Sequence, residues 1–249
     1  MAWQALWRLG MGALLLTLAL GTLRALPASA VTAQHDGTPT PTYSCDTTSP
    51  VAGTPAMDHG NMAGMETGTP MTGMAMDVAF DQLYIDMMIP HHASIIAMAE
   101  AAIPRLTDER SREIAQTIID TQSAEIEELR GYREQFYGSP EPRPMDEHTM
   151  GMMMQAMPGM GSMEAMAVQM DPAAQVAAFC AAPDPDLAFI DQTIPHHEMA
   201  IVASETALDQ ATHEEIRAFA RRVIDAQQAE IEELTAIRAA LMGAATPTG

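Results

Sequence analysis

From residue 77 onward, apolar side chains recur every three or four positions. Phe80, Tyr84, Met87, Met88, Ile95, Met98 and Ala102 fall on one helical stripe, and His91 shares it. Pro104 marks a break, and Thr107 is the expected N-cap of the next helix. A second stripe runs through Ala115, Ile118, Gln122, Glu125, Ile126 and Leu129. The same signals return near 184–208 and 213–241. Each pair of stripes describes a helical hairpin with one bare apolar face, and two hairpins can cover each other. The pattern predicts an all-α fold, a ferritin-like four-helix bundle with helices about 35–40 Å long and one long crossover.

The two hairpins match at an offset of 105. Ile89-Pro90-His91-His92 returns as Ile194-Pro195-His196-His197, and Ala124–Leu129 returns as Ala229–Leu234. Over 81–133 against 186–238, about 24 of 53 positions are identical, the mark of an internal duplication. Pro90 and Pro195 fall inside predicted helices, where proline removes a backbone bond and bends the axis. Two such prolines, each followed by His-His, point to a kink that aims the histidines.

Polar residues interrupt both second stripes where leucine would be expected: Gln122 and Glu125, then Gln227 and Glu230. A buried carboxylate needs a partner, a proton or a metal. Folding the hairpin about residue 105 sets Glu125 near Asp86 and Gln122 near Met88, with His91 and His92 about one turn further along. Each hairpin would then gather Asp, two His, Gln and Glu at one level. The metal candidates on this reasoning are His91, His92, His196, His197, Asp86, Asp191, Glu125 and Glu230. Neighbouring residues on a helix differ by about 100°, so one histidine of each pair is expected to orient its neighbour or face the surface. The alternative is a satisfied polar network that only fixes helix register.

The rest of the chain lacks periodicity. Residues 1–30 read as a signal peptide, with an apolar run over 11–23 and Ala28-Ser29-Ala30 as the cleavage site; an uncleaved anchor is the alternative. Residues 31–76 and 138–183 are rich in Pro, Gly, Thr and Met and read as linkers. The expected organisation is thus signal 1–30, linker 31–76, bundle 77–242 (hairpins 77–137 and 184–242 around the crossover 138–183) and tail 243–249. Cys45 and Cys180 either pair after export or act as free thiolate ligands, and their spacing does not decide.

Charge narrows the partners. With 33 acids against 12 arginines and no lysine, the 249-residue chain carries a net charge of −21, and loss of Arg8 and Arg24 with the signal makes it about −23. Nucleic acids and anionic membranes are excluded as partners. Acidity instead concentrates cations. Of 23 methionines, 16 lie in the two linkers, with His59 and His148 among them. Thioether sulfur is a soft, neutral ligand suited to Cu(I) and Ag(I). Met57, His59, Met62, Met65, His148, Met150 and Met152 are therefore secondary candidates. The alternative is a low-complexity spacer, or a segment 145–170 that folds back as an adaptable apolar cover. Within the bundle, Met88 precedes His91 by three, Met98 follows it by seven and Met199 follows His196 by three. These offsets put sulfur and imidazole on a common helix face.

The repeated Asp-x4-His-His with its Ile-Pro, followed by Gln-x-x-Glu-Ile-Glu, resembles the exported, ferritin-like DUF305 family of CopM-like copper-binding proteins. The likeness spans about 77–242. It implies a four-helix bundle that binds copper and silver outside the cytoplasm, with His91, His92, His196 and His197 as motif histidines and Met88, Met98 and Met199 as soft ligands. This sequence departs from that pattern at Thr193 and Ala203, where the family usually carries Met, which implies either weaker binding by the second half or an asymmetric site.

The leading expectation is a binding module rather than an enzyme: a periplasmic, cell-surface or secreted protein for copper sequestration, tolerance or delivery. Cu(I) is favoured, Ag(I) is its mimic, and Cu(II) stays open. A delivery or efflux partner would follow from that role. A ferritin-like di-iron or manganese oxidase is the enzymatic alternative, but it wants Glu-x-x-His on two helices, and none of the four predicted helices has one. A structural or signalling bundle is the third reading. Oligomeric state is not legible.

Overall fold

The computed structural model describes residues 43–45 and 78–244. The expected signal peptide, and Met57, His59, Met62 and Met65 of the first linker, lie outside the described residues. Among those described, all regular structure is helical. Seven helices follow in order: α1 (Phe80–Ala102), α2 (Glu109–Tyr137), α3 (Glu147–Ala156), α4 (Met163–Gln169), α5 (Pro172–Ala181), α6 (Pro185–Gln210) and α7 (Glu214–Ala244). The long helices α1, α2, α6 and α7 form the bundle, with α1 packed on α2 and α6 packed on α7.

Two apolar lobes make up most of the core. One joins the N-terminal half of α1 (Leu83–Ile89), the C-terminal half of α6 and the N-terminal half of α7, and includes Ile126 and Leu129 of α2. The other joins Ile95, Met98 and Ala102 with Ile114–Ile118, Phe189, Ile190, Leu234 and Ile237. These memberships make α1 antiparallel to both α2 and α6, so α2 and α6 run in the same direction. Such a pair cannot be joined by a short turn, which is why the chain needs its crossover.

That crossover is not a linker. Residues 138–183, expected to be unable to pack, fold into α3, α4 and α5. Each helix starts on a side-chain cap: Asp146 accepts from Thr149 N, Ser162 from Ala165 N, and Asp171 from Ala173 N and Ala174 N. Capping satisfies amides that would otherwise be orphaned in helices this short. Met150, Met153, Met157, Met160, Met166 and Met170 are buried in the first lobe. Unbranched thioether side chains fill irregular gaps between non-parallel helices, so this segment is the adaptable cover rather than the spacer.

A disulfide joins Cys45 to Cys180 of α5 with Cα atoms 5.3 Å apart. Tyr43 and Cys180 pack against Ala97, Ala101 and Val176, which fastens the N-terminal segment to α1 and α5.

The α1–α2 turn differs from expectation in two ways. The N-cap of α2 is Asp108, which accepts from Arg110 N and Ser111 N. Thr107 instead donates its amide and hydroxyl to the buried Asp186 of the other hairpin. In addition, Ile103 N and Leu106 N still bond Ala99 O and Ala102 O. The chain thus keeps winding past the end of α1 before it reverses. The His92–Glu125 and Asp86–Arg133 contacts centre the hairpin near residue 109 rather than 105, so Glu125 sits about six residues, or about 9 Å, further along α1 than expected.

Candidate metal centre

Between the two lobes lies a polar layer. On each long helix it occupies the interval where apolar core positions stop and restart: His91 and His92 on α1, Gln122 and Glu125 on α2, His196 and His197 on α6, Gln227 and Glu230 on α7. All four histidines are fully buried, and Gln122 and Gln227 nearly so. Pro90 and Pro195 lie inside α1 and α6, immediately before the paired histidines.

His91 and His196 meet at the centre, their ring centroids 3.6 Å apart and tilted by 32°. His92 lies 6.0 Å from His91 and His197 lies 6.2 Å from His196, centroid to centroid. Each reaches a carboxylate on the second helix of its own hairpin. His92 Nε2 is 2.9 Å from Glu125 Oε2, outside good hydrogen-bond alignment, and His197 Nε2 is 2.7 Å from Glu230 Oε2. None of the four faces the surface, which removes the surface alternative for one of each pair and leaves the orienting one.

A carboxylate accepts, so Nε2 of His197 carries the proton it donates to Glu230, and the 2.9 Å approach of His92 Nε2 to Glu125 Oε2 is compatible with the same tautomer. Ser94 has one hydroxyl proton and donates it to a backbone carbonyl, that of His91 at 2.7 Å or of Gln169 at 2.5 Å. It therefore accepts from His196 Nε2, 3.1 Å away. Nδ1 of His92, His196 and His197 is left with a lone pair, and none of the three has a protein partner among the described residues. Neither nitrogen of His91 has an aligned one, although the Gln169 side chain and the His196 backbone lie within reach of its ring, and Gln122 Oε1 and both amide atoms of Gln227 also lack one. Burial, and then the neighbouring imidazoles, hold the pKa of His91 and His196 well below the usual histidine value. Both rings are neutral near pH 7 and thus competent as ligands.

The other expected ligands fall elsewhere. Asp86 is fully buried but pairs with Arg133 Nε at 2.5 Å and lies 3.5 Å from Arg143 Nε. Asp191 pairs with Arg238 Nε at 2.6 Å on an exposed face. The structure does not bring either aspartate to the histidines, because the slide of about six residues sets Glu125, not Asp86, at their level. Arg133 and Arg238 went unnoticed as partners, although they too lie 105 apart in the sequence. Met88 and Met199 are buried in the first lobe and Met98 in the second, on either side of the layer. His148 is exposed, Met150 is buried and Met152 is half-buried in the cover. Ser94 is a residue that sequence reasoning missed; its one-turn spacing from His91 was the available signal.

Among the described residues, no three His, Cys, Asp or Glu side chains already converge in metal-ligating geometry. What the layer offers is a set of buried lone pairs without partners, with thioethers adjoining. Buried polar atoms are ordinarily satisfied, and exceptions call for an explanation. A cation that accepts imidazole lone pairs would supply one, and imidazole nitrogens with nearby thioethers are the donor types that suit a soft ion.

The fold and the layer together define a helical bundle with a histidine-centred core. The chain belongs to the DUF305 family, described as a domain of unknown function, whose model matches residues 27–133 and 81–238. A DUF305 protein from Streptomyces coelicolor shares the fold with a TM-score of 0.51 and 19% identity, over 64% of this chain and 91% of that one. A DUF305 fragment from Deinococcus radiodurans gives 0.50 and 20%, over 64% and 95%. CopM in its Cu(I)-bound form aligns with a TM-score of 0.48 and 26% identity, over 62% and 92%. No curated protein matches the chain.

Proposed function

We propose that this protein binds a soft monovalent metal ion, Cu(I) with Ag(I) as its mimic, outside the cytoplasm, and serves copper sequestration, tolerance or delivery rather than catalysis. The carrying observation is the central layer of four buried histidines whose Nδ1 atoms have no protein partner among the described residues. Leaving such atoms unpaired in a core costs roughly 1–3 kcal/mol each, and coordination offsets that cost. His91, His92, His196 and His197 are the proposed ligands, with Met88 and Met199 as the nearest soft donors in sequence and Met98 beyond them. Imidazole with thioether, where both carboxylates of the layer already meet a histidine, selects against Mg, Ca and Mn and favours Cu(I). Glu125 and Glu230 act through the histidines, holding each ring by its Nε2 proton. The Cys45–Cys180 disulfide supports an oxidising compartment.

The test is an anaerobic competition titration of residues 31–249 with Cu(I) against a coloured chelator, with Fe(II), Mn(II) and Zn(II) in parallel. Tight Cu(I) binding is expected. It should weaken by more than about 100-fold in His91→Ala with His196→Ala, beyond the range for losing an orienting partner alone, while far-UV circular dichroism keeps its helical form. Tight Fe(II) or Mn(II) binding without Cu(I) would move the assignment to an oxidase. An identical Cu(I) titration in the variant would leave the layer as a register device.

A further inference from the structure

A cleft of about 550 Å3 lies between the 159–169 segment and the outer face of α6. Its lining combines two buried thioethers with an acidic rim: Met160 and Met199 are each about 5% exposed or less, whereas Glu198 and Glu205 are exposed. Met160 is held there by the backbone. Gly159 and Gly161 on either side have φ of 101° and 95°, a region that side chains other than glycine rarely adopt. A Cβ on Gly159 would approach Val202 Cγ1 of α6 to 3.2 Å.

One wall of the cleft leads to the histidines. Gln169 lines it, and the Gln169 carbonyl accepts from Ser94, whose hydroxyl also touches His196 Nε2. Met199 lies one helical turn beyond His196 on α6, on the same face. One buried serine hydroxyl on α1 thus separates the Gln169 carbonyl, at the cleft, from the imidazole of His196. That hydroxyl has two carbonyls as alternative acceptors, 2.7 and 2.5 Å away, so it can turn without losing its hydrogen bond.

We propose that this cleft is the port through which a soft monovalent cation reaches the histidine layer, with Met160 and Met199 as its transient ligands. The proposal rests on the metal-binding reading of that layer. Carboxylates at the rim raise the local cation concentration. Neutral thioethers strip a soft ion from solvent without a proton change and hold no charge to retain it. Transfer to the histidine layer exchanges a thioether for an imidazole Nδ1 lone pair, with no net redox step, while His196 Nε2 on the Ser94 side keeps its proton.

The test separates rate from affinity. Cu(I) is supplied anaerobically as a coloured chelator complex to the full 31–249 chain, and loss of colour is followed in time. Met160→Leu, and Ala165→Phe which fills the cleft, should each slow loading several-fold with an unchanged equilibrium end point. Met166→Leu, buried outside the cleft, should load at the parent rate. Glu198→Gln with Glu205→Gln should slow loading by about ten-fold at low salt and flatten its salt dependence. Parent rates in both Met160→Leu and Ala165→Phe, with an end point still abolished by His91→Ala and His196→Ala, would overturn the port alone. An end point indifferent to those histidines would overturn the layer and the port together.

Discussion

Asp86 is enclosed between Arg133 and Arg143, while Asp191, the same motif position in the other hairpin, meets Arg238 in the open. Both pairs are separated by 47 residues and both bond through arginine Nε. The crossover makes the difference. It leaves α2 at Gly138 and passes over the first hairpin, where Arg133 also donates to Ser139 O and Arg143 reaches Asp86. Among the described residues, nothing equivalent covers Asp191. The histidine–glutamate pairs respond differently: at 2.9 and 2.7 Å, with both histidines fully buried, they are nearly the same in the two halves. Identical sequence motifs therefore diverge strongly at the aspartates, where the crossover covers one hairpin, and differ less in the layer, where both histidine–glutamate contacts form but only that of His197 is aligned as a hydrogen bond. The soft donors are the unequal part. In the duplication, Met88 is matched by Thr193, Met98 by Ala203, and Ser94 by Met199.

The largest expected contrast is in the aspartates. Asp86→Asn strips the partner from a buried arginine and should cost about 3–5 kcal/mol in urea unfolding. Asp191→Asn should leave the unfolding midpoint unchanged, since exposed pairs contribute little. Equal losses would break the claim that the crossover sets the two environments apart.

Glu125→Gln and Glu230→Gln should instead behave alike. Each removes a carboxylate that holds a histidine proton, so each should weaken Cu(I) binding by about 10–100-fold. A marked inequality would show that the layer is not shared evenly.

Acid gives the smallest contrast. His91 and His196 have lowered pKa values in the folded state, so below the ordinary histidine value of about 6.5 the unfolded chain binds protons that the folded one refuses. Stability of the metal-free protein is then complete above that value and falls as pH drops, by up to ~1.4 kcal/mol per pH unit for each imidazole. Urea midpoints between pH 7 and 5 should fall less steeply in His91→Ala, and a parent-like slope in that variant would assign the acid loss to other groups.

Much of this was legible in the residue pattern. The stripes of α1, α2, α6 and α7 were strong because each long helix carries an apolar face on both sides of the polar layer. Gln122, Glu125, Gln227 and Glu230 stood out because polar residues at core positions are rare. The register was not legible. It depends on whether Ile103–Leu106 turn at once or wind on, and Pro104 suggested the former. That slip placed Asp86 where Glu125 belongs. The crossover was misread because its Pro, Gly and Met content matches unfoldable segments, yet Asp146, Ser162, Asp171-Pro172 and Asp184-Pro185 are helix starts that composition averages away. Burial of its methionines came from tertiary packing, which no local signal in 138–183 reports.

The central claim is that the histidine layer holds the metal through Nδ1. Nitrogen-15 spectra of the imidazoles in the 31–249 chain, recorded while Ag(I) is added anaerobically, test it directly. The account predicts that the Nδ1 resonances of His92, His196 and His197 move to metal-bound positions while their Nε2 atoms stay protonated. Shifts confined to His59 and His148, with the four core histidines unmoved, would contradict it.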